Sequence, residues 1–277
     1  MDIKSELTRH GFTFSKRYGQ NFITDTNFLN SVVEKSGVTA GDTVVEIGAG
    51  AGTLTAALAA KAARVIAFEI DESLKPVLES TVGGLKNVEL KFCDFLKAGD
   101  VSEIVGESYK VVANLPYYIT TPLIFKLLED TAVLPETISV MVQHEVADRL
   151  CAREGSKDYG ALTVAVDARY EAKKIIDVNR TMFYPVPNVD SAVVLMKRRT
   201  AKENVDFEAF ARLVRASFAM RRKTLVNNLS AAFGGDKSFY EEILKGLGLP
   251  VTVRGEALST EMFFALQAAL SHRVMRR

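Results

Sequence analysis

A chain of 277 residues can hold one large or two modest domains, each with a core of its own. Hydrophobic residues are 48% and charged residues 25%, which excludes a disordered or fibrous chain, and no run approaches the roughly 18–20 apolar residues of a membrane span. The formal net charge of +1 conceals an asymmetry: residues 1–190 carry 20 Lys/Arg against 26 Asp/Glu, while residues 191–277 carry 15 against 8.

After a polar start, an apolar period over 25–36 predicts a helix. Strand and helix signals then alternate: strands at 43–47 and 65–70, helices at 54–61 and 74–81, strands at 88–92 and 110–113, a helix at 122–129 and a strand at 138–142. Near-continuous apolar strands separated by helices predict a parallel sheet covered on both faces. Two late strands, at 162–170 and 191–198, have no long helix between them and predict an antiparallel end to that sheet. From 207 onward the pattern is helical only, over 207–220, 223–233, 239–247 and 260–270. The change of period and of charge places a boundary near residue 200, giving domains of 1–200 and 201–277. A basic final third on an acidic body fits a polyanion contacted by one region.

Cys93 and Cys151 are too few and too far apart for a disulfide framework or a zinc knuckle, and His10, His144 and His272 are equally scattered, so no metal site is expected. The opening ten residues are mixed in charge and lack an apolar signal core, so a cytoplasmic location is expected, with no membrane contact.

The first strand of the alternating series runs into Glu46-Ile-Gly-Ala-Gly-Ala-Gly-Thr-Leu54 and then a helix. Gly48, Gly50 and Gly52 permit a tight turn and close approach to a ligand, and open α/β sheets bind ligands beside such turns at the carboxyl ends of their strands. A dinucleotide fingerprint needs Gly or Ala at position 53, which is Thr. The pattern G-x-G-x-G preceded by Glu46 resembles the first motif of S-adenosylmethionine-dependent methyltransferases. Glu69 ends the next strand, where a carboxylate can accept both ribose hydroxyls. Asp94 follows the third strand, where it can accept from an adenine amine while an apolar neighbour covers the ring.

The most specific signal is Asn114-Leu115-Pro116-Tyr117 at the end of the fourth strand. The exocyclic N6 of adenine is a poor nucleophile because its lone pair is delocalised into the ring. Hydrogen bonds from both of its N–H groups, to the Asn114 side-chain oxygen and the Leu115 carbonyl, favour a pyramidal nitrogen with a localised pair. Pro116 has no N–H and fixes the turn that aims the carbonyl. Tyr117 offers a face on which an unstacked base can rest.

Asn-Leu-Pro-Tyr resembles the [N/D/S]-x-P-[Y/F] motif of methyltransferases acting on exocyclic amines. The chain from about residue 8 to 270 resembles the small-subunit rRNA adenine-N6,N6-dimethyltransferase family, the kasugamycin-sensitivity methyltransferases. Tyr18-Gly-Gln-Asn-Phe22 is similar to that family's N-terminal cofactor signature, Phe183-Tyr-Pro-Val-Pro-Asn-Val-Asp-Ser-Ala192 to its post-catalytic loop, and Ala216-Ser-Phe-Ala-Met-Arg-Arg-Lys-Thr-Leu225 with Asn228-Leu229 to its C-terminal helical signature. The resemblance implies a doubly wound, Rossmann-like α/β methyltransferase sheet with an antiparallel end, plus a small C-terminal all-helical domain that binds RNA or the ribosome.

It implies S-adenosylmethionine as cofactor, held by Gln20, Asn21, Phe22, Gly48, Gly50, Glu69, Ile70, Asp94, Phe95 and Asn114. It implies a catalytic set of Asn114, Leu115, Pro116, Tyr117 and Phe183, the last on the other face of the target adenine. Arg221, Arg222 and Lys223 are candidate RNA contacts, equally readable as a solvated helix end. The implied partner is 16S rRNA in the small ribosomal subunit or its precursor, and the expected state is monomeric. Where the family commonly has Pro, this chain has Ala49, for which a slightly looser turn is expected; His144 stands where Lys is frequent. Rival readings are a macrolide-resistance type enzyme acting on large-subunit rRNA, an assembly factor whose binding outweighs its chemistry, and, more distantly, an NAD-linked oxidoreductase, which Thr53 opposes.

Overall fold

The structure, a computed structural model, describes residues 3–15, 18–129, 132–200 and 206–274, without the side chains of 272–274, so the side chain of His272 lies outside the described residues. The chain forms two compact units, Met1–Ala147 with Glu171–Arg198, and Asp148–Tyr170 with Arg199–Arg277. Sequence patterning placed one boundary near 200, whereas the chain passes between units after 147, 170 and 198.

In chain order the elements begin with α1 (Ile3–Arg9), β1 (Phe22–Ile23), α2 (Thr26–Lys35), β2 (Thr43–Ile47), α3 (Thr53–Ala59), β3 (Arg64–Glu69), α4 (Lys75–Thr81) and β4 (Val88–Phe92). There follow α5 (Ser102–Val105), β5 (Lys110–Asn114), α6 (Thr120–Glu129), β6 (Thr137–Gln143), α7 (His144–Leu150), α8 (Ala161–Asp167), β7 (Tyr170–Val178), β8 (Phe183–Tyr184) and β9 (Ser191–Arg198). The chain ends in helices α9 (Phe207–Ser217), α10 (Leu225–Phe233), α11 (Lys237–Gly246) and α12 (Thr260–Val274).

The main sheet has seven strands in the order β4-β3-β2-β5-β6-β9-β7. β2 through β6 run parallel, and β9 is antiparallel to β6 with Gln143 opposite Ser191. Val44, Val65, Val112, Met141 and Val193 face a core that includes Leu29 and Val33 of α2, Leu54 and Leu58 of α3, and Val77 and Leu78 of α4. Their strand neighbours Val45, Ile66, Val111, Val140 and Val194 point the other way and are also fully buried. Both faces are therefore covered, as the unbroken apolar runs require.

One predicted strand is a helix. Residues 162–170 include the β-branched Thr163, Val164 and Val166, yet Ala161–Asp167 is helical, with Leu162, Thr163, Val164, Ala165 and Val166 all buried. A helix covered on every side has no amphipathic stripe, so its β-branched composition misleads. The antiparallel end instead uses β7 beside β9. Its exposed Glu171, Lys173 and Asp177 hid it from a hydrophobicity reading, and charge on an edge strand discourages further pairing. The second unit is helical around an aromatic core in which Phe210 stacks on Phe207 and on Phe264, at centroid distances of 5.8 and 4.5 Å. Among the described residues no helix is long and apolar enough to cross a membrane, and no cluster of His, Cys, Asp and Glu could hold a metal ion.

Candidate active site

The chain leaves β2 for β3 and β4 on one side and returns to β5 on the other. β2 and β5 are paired at Val44–Lys110 and Val45–Val111, short of their carboxyl ends. Beyond that pairing their extensions separate, and a crevice opens at this switch in strand order. The glycine turn forms one wall and the Asn-Leu-Pro-Tyr turn another, and residues 18–23 complete the cavity.

The turn after β2 places Gly48 at φ +82° and Gly50 at φ +57°. A Cβ at Gly50 would stand 2.8 Å from the Phe22 ring, so the turn packs directly on the N-terminal segment. The N–H groups of Gly48 and Ala49 both donate to the Phe68 carbonyl, at 2.8 and 2.9 Å. Proline at position 49 could not make the second bond, so Ala49 adds a backbone hydrogen bond to this turn.

Glu69 is 6% exposed. Its Oε2 accepts from Gly50 N–H at 2.8 Å, and its Oε1 from Ile70 and Asp71 N–H at 2.9 and 2.8 Å. Burial raises its pKa, while these three bonds favour the ionised form. Behind it Glu46 is 1% exposed, and neither carboxyl oxygen has a hydrogen-bond partner. Burial, reinforced by the Glu69 charge, pushes the Glu46 carboxyl up to about 8.

On the facing wall, Asn114 Nδ2 donates to the Asn21 carbonyl at 2.9 Å, and Leu115 N–H donates to the Met141 carbonyl at 3.1 Å. The Pro116 carbonyl accepts from the Thr120 hydroxyl at 3.0 Å. The Tyr117 and Ser191 hydroxyls are 2.7 Å apart, tethering the aromatic ring to the start of β9. Burial raises the Tyr117 pKa.

Gln20, Asn21, Phe22, Gly48, Gly50, Glu69, Ile70, Asn114, Leu115, Pro116 and Tyr117 thus meet in one cavity. The other candidates stand differently. Asp94 is not in the cavity wall; its Oδ1 accepts from Leu96 N–H at 3.0 Å and its Oδ2 lies 3.9 Å from Lys97 Nζ. Phe95 is 4% exposed and packs edge-on against Phe68. Phe183 is 2% exposed in the core: β8 pairs with β1 in the register Ile23–Phe183, which turns Phe183 inward and leaves Tyr184 at 38% exposure. The cluster Arg221, Arg222 and Lys223 is exposed on the turn between α9 and α10 in the second unit.

Tyr18 and Tyr118 line the cavity, and Asp71 and Ser191 hold its walls in place; sequence reasoning assigns none of the four a role, though Tyr18 and Ser191 fall within the motifs read there. The doubled tyrosine at 117–118 was the one local signal for Tyr118.

The family model described as ribosomal RNA adenine dimethylase matches residues 11–260. A protein of Bacillus mycoides named ribosomal RNA small subunit methyltransferase A is 45% identical, covering 96% of this chain and 94% of that protein. Proteins of Bacillus cereus with the same name match equally. Among solved structures, a dimethyladenosine transferase from Plasmodium falciparum superposes with a TM-score of 0.75 at 26% identity, covering 91% of this chain and 98% of that one. The 23S rRNA methyltransferase ErmE gives 0.65 at 27% identity, covering 91% and 100%. With its glycine turn and Asn-Leu-Pro-Tyr turn meeting across the switch point, this chain belongs to the ribosomal RNA adenine dimethylase family.

Proposed function

We propose that this protein transfers methyl groups from S-adenosylmethionine to N6 of two adjacent adenosines near the 3′ end of 16S rRNA, within the small ribosomal subunit or its precursor. The observation that carries this reading is the Asn114-Leu115-Pro116-Tyr117 turn beside the Gly48–Gly50 cradle in one cavity. The 45% identity to proteins named for the small subunit, against 27% to the 23S enzyme, favours the small-subunit substrate.

The residues present suit the cofactor. The cavity is floored by glycines, one of whose missing Cβ atoms would strike Phe22, and it has two carboxyl groups in its wall, one of them without a partner. In this reading Gly48 and Gly50 let the backbone approach the methionine end, Glu69 and Ile70 hold the ribose, and Gln20, Asn21 and Phe22 close over it. Asp94 takes the adenine amine through the oxygen left to Lys97, with Phe95 behind it. S-adenosylmethionine, when bound, supplies an electrophilic sulfonium methyl.

Asn114 Oδ1 and the Leu115 carbonyl accept from the target N6, localising its lone pair, and Pro116 fixes their separation. Tyr117, anchored through Ser191, supports one face of the base. Phe183 takes the other face once β8 draws back from β1. Catalysis is then positioning plus electrostatics, with no strong base, because the amine becomes acidic only on methylation. Arg221, Arg222 and Lys223 supply phosphate contacts from a basic helical domain over 201–277, while a domain over 1–200 carries the methyltransferase site. The enzyme acts as a cytoplasmic monomer.

The test supplies labelled S-adenosylmethionine with small and large subunits lacking this modification, then identifies modified nucleosides by mass spectrometry. Dimethyladenosine confined to small-subunit RNA is the expected result. Label in large-subunit RNA, or none in either subunit from protein that binds the cofactor, overturns the proposed substrate.

A further inference from the structure

We propose that Asp71 is a positioning residue: by seating the arm formed by residues 18–22 through Gln20, it sets the orientation of the Asn114 amide toward the target amine. The inference rests on the role given to Asn114 above and extends it to a residue outside the cavity wall.

Two acceptor-only groups fix the geometry. The Asn21 backbone carbonyl can only accept, so the Asn114 atom 2.9 Å away is the amide nitrogen, and Oδ1 is the atom left for a substrate N–H. Without that carbonyl the amide could rotate by half a turn and present its NH₂ to the N6 amine, donor against donor. The Asn21 carbonyl is therefore the device that gives Asn114 its sense, and it belongs to the arm, not to the sheet.

Asp71 holds that arm. The Asp71 carboxylate likewise only accepts, so the Gln20 atom 2.6 Å from its Oδ2 is Nε2, which leaves Gln20 Oε1 to accept Ser15 N–H at 3.1 Å. One side chain thus ties Ser15 and the 18–22 arm to one anchor, by a charge-assisted bond. The anchor is itself fixed: Asp71 is 6% exposed, and its Oδ1 accepts from Ser73 N–H and Oγ at 3.0 and 2.6 Å. Its own N–H donates to Glu69 Oε1, whose partner oxygen accepts from Gly50. The strand end that carries Glu69 therefore also locates, through Gln20 and Asn21, the amide on the opposite wall. Within the arm, Asn21 Nδ2 donates to the Gly19 carbonyl at 3.0 Å, bracing the turn that carries Gln20.

The bond is reciprocal and can be exchanged. Asp71→Asn keeps an acceptor for Ser73 but opposes an NH₂ to Gln20, and Gln20→Glu opposes two carboxylates. The double variant restores a donor–acceptor pair with its sense reversed: the carboxylate introduced at position 20 accepts both from the amide introduced at position 71 and from Ser15 N–H. In the full-length protein, each single variant is expected to lower kcat by about tenfold or more, and the double variant to recover to within about threefold. In cofactor-free protein, the Asn114 side-chain amide resonance should shift in both single variants and return in the double.

A merely structural role lowers stability without that reciprocity and leaves the Asn114 resonance in place. The proposal is overturned if kcat holds in both single variants, if the double is no better than either, or if the resonance does not move. Should Asp71→Asn fail to fold, Gln20→Glu reads the same two quantities. Asn114→Ala separates the layers: transfer that persists in it removes the reading of Asn114 and the proposal with it. Transfer lost there but intact in both single variants overturns the arm's role alone.

Discussion

Gly50 answers three demands at once: a φ of +57°, an N–H aimed at Glu69, and a Phe22 ring standing where a Cβ would go. Left-handed backbone costs an L-residue about 1–2 kcal/mol, and the displaced ring adds to that. Gly50→Ala is therefore expected to lower Tm by several degrees in calorimetry and to weaken S-adenosylmethionine binding by about tenfold or more in titration. Glu46 makes a different claim. Its carboxyl, pushed up to about 8 from 4.5, holds a proton in the folded state that the unfolded chain has released. Stability should thus fall as pH rises from about 5 to 8, by a few kcal/mol at most, and Glu69, shifted the same way, adds to the trend. Glu46→Gln should flatten the slope in urea titrations across that range; an unchanged slope would place the proton elsewhere. The glycines and the Asn-Leu-Pro-Tyr turn were legible in sequence because their residue types are demanded by backbone geometry. Asp71 was not, because what recommends it is a contact with Gln20 across 51 positions.

Elements were legible where their periodicity answered to a single face. β2, β3, β5 and β6 read correctly because strands buried on both sides are largely apolar, whereas the edge strand β4, half-buried and carrying Glu89 and Lys91, was legible from its alternation instead. α8 failed by the same logic: burial all round erased its period, and Thr163 and Val164 then argued for a strand. What holds α8 as a helix is partly local. Thr163 Oγ1 accepts from Gly160 N–H at 3.2 Å and donates to the Arg149 carbonyl at 2.6 Å, closing the helix start and tying it to the end of α7. Thr163 is 3% exposed, and Thr163→Ala removes both of these bonds from the helix start. Its expected cost is about 1–3 kcal/mol in denaturant unfolding, with Thr163→Ser costing about 1 kcal/mol or less. Equal losses in the two variants would mean that the methyl, not the hydroxyl, secures the element.

At the scale of the molecule, charge is divided between the units. The unit of 148–170 and 199–277 carries 17 Lys/Arg against 12 Asp/Glu, and the unit holding the cavity carries 18 against 22. Such a division separates two tasks. An acidic body repels a phosphate backbone except where a site is built for it, and a basic unit supplies attraction that does not depend on sequence. Arg221, Arg222 and Lys223 lie together and exposed, and Arg221 is partly engaged already, donating to the Lys157 carbonyl at 3.0 Å. If all three contact phosphates, replacing them with alanine removes up to three counterion releases. The log–log dependence of RNA affinity on salt should then become shallower by about 2–3. KM for the subunit should rise while kcat and S-adenosylmethionine affinity hold, because none of the three lines the cavity. The control is Lys61→Ala with Lys86→Ala, two exposed lysines of the acidic unit, which should leave the slope unchanged. A slope unmoved by the triple variant would assign the cluster to a solvated turn, whereas a fall in kcat without a change of slope would mean that the turn aligns the substrate and does not attract it.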